Sequence, residues 1–299
     1  MSIDITIKQK GLSKKDLTMS VLLGGSLSYG SPDGPRLKPD VIEGEEFIIY
    51  DKSRISRGIS VQYDLKKHRQ IQLRLLNPTS AQEIHALYQC VGRIVNFWSC
   101  TLEVDGTKTS SADFQRGLSG MLSMNERFLQ MSVDKILSGE TQYMDFFSAM
   151  FPLTMGHEEA ERFKDGGVPA FTDWMHERQS IDAYYAQPSF FRMDEGIMGR
   201  YAITEDTPGI FPDKGRVPFG TTDRETGKAL ECDSFEMHFF SPRLNRFLGK
   251  MPYDEFFALL APGKRSRFDA AHSLIKPLST DEMEGMLKKY EELFPEVEL

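Results

Sequence analysis

The sequence has few cysteines and no apolar run long enough to cross a membrane. Its three cysteines, Cys90, Cys100 and Cys232, form no CxxC pair and are odd in number, which favours a reducing cytoplasm. The longest apolar runs, such as 256–261, fall far short of the ~20 residues that a transmembrane helix needs. The N-terminal residues MSIDITIKQK lack the apolar core of an export signal. We therefore expect a soluble, cytoplasmic protein.

An excess of positive charge is also missing. The formal net charge is -8 at pH 7, which argues against general binding to a phosphate backbone. The composition, with 40% hydrophobic and 27% charged residues, is that of an ordinary globular protein and excludes extended disorder. The expected partners are another protein or a small molecule, and neither a membrane nor a nucleic acid.

Two histidine-containing segments begin like a zinc-protease helix but lack its second ligand. A zinc protease requires HExxH, because two histidines one helical turn apart point at a single metal ion. In "HERQS", which begins at His176, the fifth residue is Ser180. In "HEEAE", which begins at His157, the fifth residue is Glu161. With only six histidines in the chain and no cysteine cluster, the sequence predicts no metal site.

The motifs of nucleotide binding and nucleophilic catalysis are absent as well. The segment "LLGGSLSYGSPDG" matches neither GxxxxGK[ST] nor GxGxxG, so its glycines suit tight turns better than a phosphate loop. No GxSxG occurs, which excludes a nucleophile elbow. Cys90 lies beside Val91 within a helical pattern, so we interpret it as a core residue. No cofactor is predicted.

The first third of the chain carries the clearest structural pattern. Apolar residues alternate with polar ones over 59–63 and again over 71–75, which predicts an antiparallel hairpin. Ser80 and Glu83 have the spacing of a capping box, and apolar residues then recur every three or four positions up to Trp98. "CTLEVDG" returns as a strand. The sequence therefore predicts a β-β-α-β unit whose sheet is covered on one face by a helix.

The remaining elements are mixed without regular alternation. Residues 111–139 read as one long or two short helices, "YMDFFSAMFPLTMG" as one buried strand, "ALECDSFEMHFF" as a strand and "PYDEFFALLA" as a short helix. The last predicted element is an amphipathic helix whose start is capped by Ser279 and Glu282. The predicted class is α+β, with mixed, mainly antiparallel sheets and packed amphipathic helices. A weak boundary at "SGE" divides the chain into modules 1–138 and 139–299, although one continuous domain fits equally well.

The stretch "WMHERQSIDAYYAQPSFF", residues 174–191, is the densest in reactive side chains. Its spacing predicts a helix that ends at Pro188, because proline has no N–H for the helical ladder. One stripe is mostly aromatic and apolar and should face the core: Trp174, Arg178, Ile181 and Tyr185. The opposite stripe is small and polar: His176, Ser180, Ala183 and Gln187. Such a stripe is either the solvated face of the helix or part of a binding site.

Four segments resemble an uncharacterised family of Gram-positive bacterial proteins. They are "ERQSIDAYYAQPSFF", "GIMGRYAITEDTPGIFP", "FIIYDKSRISRGISV" and "LNPTSAQEIHALYQ". The family is a domain of unknown function of about this length, so the resemblance covers nearly the whole chain. It implies a soluble bacterial protein, but it brings no activity, cofactor or catalytic residue.

Two functions from different classes follow. The first is a non-catalytic cytoplasmic protein that binds a partner or ligand near residues 174–201, since tyrosine and arginine are favoured at binding hot spots. The predicted binding residues are His176, Ser180, Asp182, Tyr184, Gln187 and Arg200. The second is a hydrolase-like enzyme that uses His176 with nearby polar residues. On an ideal helix His176 and Asp182 lie about 120° apart, so such a site would need other elements. The missing motifs favour the first function.

Overall fold

The computed structural model describes the chain in seven stretches: residues 1–11, 15–34, 36–64, 69–194, 196–218, 220–223 and 226–295. Contacts divide the chain into two compact units, Met1–Ile181 and Asp182–Leu299. The expected boundary at 138/139 lies inside the first unit. There the helix Leu118–Leu137, before that position, packs against the helix His157–Gln179, after it.

An eight-stranded antiparallel sheet organises the first unit. Its strands are β1 (Ser2–Gln9), β2 (Ser28–Asp33), β3 (Arg36–Pro39), β4 (Glu46–Tyr50), β5 (Ile59–Asp64), β6 (Gln70–Leu76), β7 (Cys100–Val104) and β8 (Thr107–Thr109). They lie in the order β3-β2-β4-β5-β6-β1-β7-β8. The described part of the unit also contains five helices and two short strands: α1 (Met19–Leu23), α2 (Ala81–Phe97), α3 (Ser111–Arg116), α4 (Leu118–Leu137), β9 (Met144–Phe146), β10 (Leu153–Met155) and α5 (His157–Gln179).

The predicted β-β-α-β unit is confirmed as β5, β6, α2 and β7. Val61 pairs with Leu73 in the hairpin, so the alternating apolar residues of both strands share one face. That face is buried against the apolar stripe of α2, which includes Ile84 and Val91. Each fully buried side chain of this kind stabilises the fold by about 1.5–3 kcal/mol. The opposite face of the sheet carries the polar residues of the alternation.

The predicted capping box at the start of α2 is only half formed. The Ser80 hydroxyl accepts a hydrogen bond from the Glu83 N–H at 3.1 Å, as an N-cap should. The Glu83 carboxylate does not return to Ser80. It accepts instead from the backbone N–H groups of Arg57 at 3.1 Å and Gly58 at 2.7 Å, and from the Thr79 hydroxyl. Glu83 is buried, and its carboxylate therefore fixes the chain entering β5.

The middle of the chain differs from the sequence prediction at one point. Residues 111–139 form two helices, α3 and α4, that break at Gly117, which is one of the two expected arrangements. The prediction of a single buried strand over 143–156 is wrong, because β9 and β10 form an antiparallel pair there. Between β9 and β10 the backbone bonds to other parts of the unit. The Ala149 N–H donates to the Ser56 carbonyl, and the Met150 N–H donates to the Gln179 side chain.

The helix expected over 174–187 is also corrected. It is the last part of α5, which begins at His157, changes direction at Gly167 (φ 57°, ψ -152°) and ends at Gln179. Because Gly167 and the nearby Pro169 have low helix propensity, the sequence pattern does not predict this longer helix. Pro188 does not end the helix. The Ser180 hydroxyl donates to the His176 carbonyl at 2.7 Å, and the chain is extended soon afterwards.

In the second unit the described residues form two four-stranded sheets and two helices. Its elements are β11 (Tyr184–Tyr185), β12 (Ser189–Met193), β13 (Gly196–Thr204), β14 (Gly209–Pro212), β15 (Ser234–Ser241), β16 (Arg246–Pro252), α6 (Tyr253–Leu259), β17 (Arg265–Arg267), β18 (His272–Ile275) and α7 (Thr280–Leu293). One sheet has the order β11-β14-β18-β17 and the other β12-β13-β15-β16. The β11–β14 and β13–β15 pairs are parallel, and the others are antiparallel.

Aromatic side chains dominate the core of the second unit. Tyr201, Phe239 and Phe256 are fully buried there, together with Met283 of α7. The predicted strand within 229–240, the short helix after 252 and the terminal helix all occur. The capping box of Ser279 and Glu282 is formed in both directions. The predicted α+β class is confirmed. Among the described residues no helix is both long and apolar enough to span a bilayer.

Candidate functional site

Two of the predicted binding residues lie at the end of α5 in the first unit. The Nδ1 atom of His176 accepts a hydrogen bond from the Ile55 backbone N–H at 3.1 Å and lies 3.4 Å from the Ser180 hydroxyl. Nδ1 therefore carries no proton in this arrangement. His176 holds residues 54–55 against α5, an anchor that the ion pair between Arg54 and Asp173 supports.

The other four predicted residues lie in the second unit: Asp182 before β11, Tyr184 on β11, Gln187 between β11 and β12, and Arg200 on β13. Tyr184 lines a small cavity of about 250 Å³ beside β14. Arg200 on β13 places its guanidinium 4.0 Å from the centre of the Phe191 ring. Asp182 is exposed and Gln187 partly buried, and neither side chain bonds to another described residue. That all six bind one ligand stays a prediction.

A larger cavity lies beside the edge strand β12, and three of its residues come from the 174–201 segment. We call it the edge-strand cavity. Its volume is about 470 Å³, within the usual range for ligand pockets. Its lining residues are Phe190, Arg192, Ile197, Thr221, Thr222, Asp223 and Leu230. The first three share one face of the β12–β13 hairpin, because Arg192 pairs with Ile197 and side chains alternate along a strand.

Contacts around Asp223 fix the polar end of the edge-strand cavity. Thr222, beside it, pairs with Ala229. The Asp223 carboxylate accepts from the Thr226 N–H at 2.8 Å and forms an ion pair with Arg192, also at 2.8 Å. The Asp223 side chain is only 11% exposed. Its charge is thus compensated within the wall, and the cavity presents apolar surface together with the Thr221 and Thr222 side chains.

A second group of functional side chains surrounds His272, which begins β18. We call Tyr185, Arg216, Asp269 and His272 the His272 cluster. Asp269 Oδ1 accepts from the backbone N–H groups of Ala271 and His272 and lies 2.9 Å from His272 Nδ1. His272 Nε2 lies 3.1 Å from the Tyr185 hydroxyl and 3.1 Å from Arg216 Nη2.

These contacts fix the proton on the imidazole. The Asp269 carboxylate can only accept, so the ring proton lies on Nδ1. The Arg216 guanidinium can only donate, so Nε2 is an acceptor. The Tyr201 hydroxyl donates to the Arg216 carbonyl at 2.9 Å and holds that residue in place. Burial raises the pKa of Tyr201, which keeps its hydroxyl protonated as this donor.

An aspartate that orients a histidine beside a hydroxyl is the arrangement of an activated nucleophile or proton relay. In the His272 cluster, Tyr185, Asp269 and His272 are all buried. A substrate would have to displace covering residues to reach them. As it stands, the cluster ties β11 to β18 across the intervening strand β14. Sequence reasoning missed it because Tyr185 and His272 are 87 positions apart. The only local sign was the three-residue spacing of Asp269 and His272.

Comparison with known proteins agrees with the resemblance of the four quoted segments. A search of the curated proteins finds no match, and neither does a search of the solved structures. The model of one family, described as a domain of unknown function (DUF4299), matches residues 2–286. Because this match covers nearly the whole sequence, the chain belongs to the DUF4299 family.

Proposed function

We propose that the protein is a non-catalytic binding protein and that a small-molecule ligand occupies the edge-strand cavity. One observation carries the proposal: a cavity of about 470 Å³ is lined by Phe190, Arg192 and Ile197, which belong to the segment singled out in the sequence. A concave, mostly apolar pocket with a few fixed polar groups is the usual form of a ligand site.

The lining chemistry defines the ligand class. Phe190, Ile197 and Leu230 supply apolar walls, so the body of the ligand is apolar or aromatic. The hydroxyls of Thr221 and Thr222 make no hydrogen bond to other described residues and are available to a polar end group. Because Arg192 already compensates Asp223, neither charge demands a counter-ion from the ligand.

A fluorescent probe tests this proposal. The probe 8-anilinonaphthalene-1-sulfonate has an aromatic body with one anionic end and is titrated into the wild-type chain. Leu230→Glu places a negative charge in the cavity, which repels the sulfonate, and should weaken probe binding at least tenfold. Leu293→Glu makes the same change at an exposed leucine of α7 and should leave binding unchanged. Melting curves establish that both variants are folded. Equal binding by the two folded variants contradicts the proposal.

The second candidate is an enzyme, and the His272 cluster favours it. His176, the residue first considered for catalysis, has its Nδ1 occupied by the Ile55 N–H, so the hydrogen-bonded chain from Asp269 to Tyr185 is the better catalytic arrangement. With p-nitrophenyl acetate as probe, an enzyme would lose hydrolysis in His272→Gln and retain it in His157→Gln, a change at an exposed histidine. If the two variants and the wild type react equally, the binding function is supported.

We also propose a cytoplasmic location in a Gram-positive bacterium. The resemblance of the four quoted segments supports the origin, and three free cysteines support a reducing compartment. Fractionation of a Gram-positive host that expresses the chain should place it with cytoplasmic markers. Recovery from the medium or the cell wall would contradict this location.

A further inference from the structure

The solvent-facing side of the eight-stranded sheet in the first unit contains a second cavity, distinct from the edge-strand cavity. We call it the sheet-face cavity. Its volume is about 450 Å³. The side chains that point into it from β1, β4, β5 and β6 are polar apart from Leu76, which shares the face of Gln72 and Arg74. The polar ones are Asp4, Thr6, Glu46, Ser60, Gln62, Gln72 and Arg74. Phe147, which precedes β10, also lines it and is 50% exposed.

Four of these side chains form a row across neighbouring strands. Thr6 lies opposite Gln72, Gln72 opposite Gln62, and Gln62 opposite Glu46. With strands about 4.8 Å apart, the row is about 14 Å long. The row thus crosses the floor of the cavity from end to end.

The polar groups of this row are available to a ligand. None of its four side chains, nor that of Ser60, makes a hydrogen bond or ion pair with another described residue. Gln62 and Gln72 face each other without bonding to each other. Each amide offers two donors and an acceptor oxygen, and each hydroxyl can donate and accept. This mixture matches a ligand whose own groups donate and accept at once, as alcohol hydroxyls do.

The charge of the cavity excludes a polyanion. Arg74 Nε lies 3.5 Å from Asp4 Oδ1, and this pair is neutral as a whole. Among the described lining residues Glu46 is then the remaining charge, so together they carry a formal charge of -1. Phosphate groups would be repelled, and the centre of the row is uncharged. Phe147 adds an exposed aromatic surface, which suits the C–H face of a sugar ring.

We propose that the sheet-face cavity binds a neutral saccharide, held by Gln62 and Gln72 and packed against Phe147. The opposing view is that this is the ordinary solvated face of an antiparallel sheet. Such faces gain stability from opposite charges on neighbouring strands. Here the central pairs are amides and hydroxyls that no other described residue bonds, so a ligand can take the place of water on them.

The test uses the full chain with maltotriose, cellotriose, xylotriose and chitobiose as probes, each followed by saturation-transfer NMR and calorimetry. At least one should bind. The double substitution Gln62→Ala/Gln72→Ala should weaken that binding at least tenfold, and Phe147→Ala should weaken it as well. The matched control, Gln82→Ala/Gln89→Ala, removes two exposed glutamines of α2 and should leave it unchanged. Melting curves establish that the variants are folded.

Three results would overturn the proposal. The first is no binding of any probe up to about 10 mM. The second is equal binding by the folded Gln62→Ala/Gln72→Ala variant and the wild type. The third is binding of a short oligothymidylate that Gln62→Ala/Gln72→Ala abolishes, because the face would then recognise a nucleic acid. None of these results bears on the edge-strand cavity, which lies in the other unit.

Discussion

The buried carboxylate of Glu83 offers the sharpest test of how the first unit is held together. It accepts hydrogen bonds from two backbone N–H groups and from the Thr79 hydroxyl, and Arg57 lies buried nearby. Glu83→Ala leaves two buried backbone N–H groups without an acceptor, at about 1–3 kcal/mol each, whereas the Thr79 hydroxyl can still donate to Ser56 Oγ. Removing one partner of a buried charge pair costs about 3–5 kcal/mol. We therefore expect the free energy of unfolding to fall by about 3–5 kcal/mol at neutral pH.

Glu83→Gln should lower the free energy of unfolding less than Glu83→Ala, because glutamine keeps one of the two acceptor oxygens. One carboxylate oxygen accepts from Arg57 N–H and the Thr79 hydroxyl, and the other from Gly58 N–H. A glutamine has one acceptor oxygen, so in either orientation its NH2 group faces one backbone N–H. The expected cost is the loss of one acceptor, about 1–3 kcal/mol. Urea denaturation measures both variants, and Glu126→Ala and Glu126→Gln on the exposed face of α4 are the matched controls.

The pH dependence of the Glu83→Ala effect tests the reasoning independently. Burial raises the pKa of the Glu83 carboxyl above its ordinary value, although the hydrogen bonds oppose this. Between the unfolded pKa, about 4.3, and the raised folded value, the folded chain binds more protons than the unfolded chain. Stability from this group therefore falls as pH rises through that window. The advantage of wild type over Glu83→Ala should be largest near pH 4. If it grows with rising pH, hydrogen bonding outweighs burial and the reasoning is refuted.

Three further predictions concern single residues. Cys90 is fully buried, and burial raises the pKa of its thiol to about 11, so Ellman's reagent should label at most Cys100 and Cys232 before unfolding. Equal labelling of all three native thiols would refute this. Gly58→Ala should cost about 2–4 kcal/mol, because φ is +76° and the new Cβ would lie 2.4 Å from Ile48 Cγ2. Gly106 has the same φ, but a Cβ added there would have no atom within 4 Å. Gly106→Ala should therefore lower the free energy of unfolding by only about 1–2 kcal/mol. Ser279→Ala should lower the free energy of unfolding by about 1 kcal/mol in urea denaturation, since it removes the N-cap of α7.

Elements with a strong local pattern were predicted correctly from the sequence. The β5–β6 hairpin, α2 and α7 each combine a clear apolar period with turn or cap residues at the right spacing. Those signals lie within a few residues of one another, so no knowledge of distant contacts is needed. Where tertiary contacts decide, the same reasoning failed. Glu83 sits at capping-box spacing, but its carboxylate binds the backbone of Arg57 and Gly58, about 25 residues earlier.

The two candidate sites of the second unit show the same limit. The His272 cluster joins Tyr185 and Arg216 to a histidine far along the chain, and nothing near Tyr185 in the sequence announces that contact. The edge-strand cavity joins residues 190–197 to Thr221, Thr222, Asp223 and Leu230, and no periodicity in the sequence predicts that contact. The segment 174–201 was identified from its density of polar and aromatic side chains. Its role in binding stays a prediction.

The position at which α5 ends determines which residues of that segment can act together. On a continuous helix to Pro188, side chains at steps of three and four would share a stripe. The helix ends at Gln179, and from Ser189 the chain is a strand, in which side chains two apart share a face. Phe190 and Arg192 therefore point into the edge-strand cavity, whereas Phe191 joins Arg200 on the opposite face. A ligand in the edge-strand cavity would thus contact the face of the β12–β13 hairpin opposite to Arg200, the one predicted residue that the hairpin carries. Arg200→Ala should therefore leave its binding unchanged, while Phe190→Ala should weaken it.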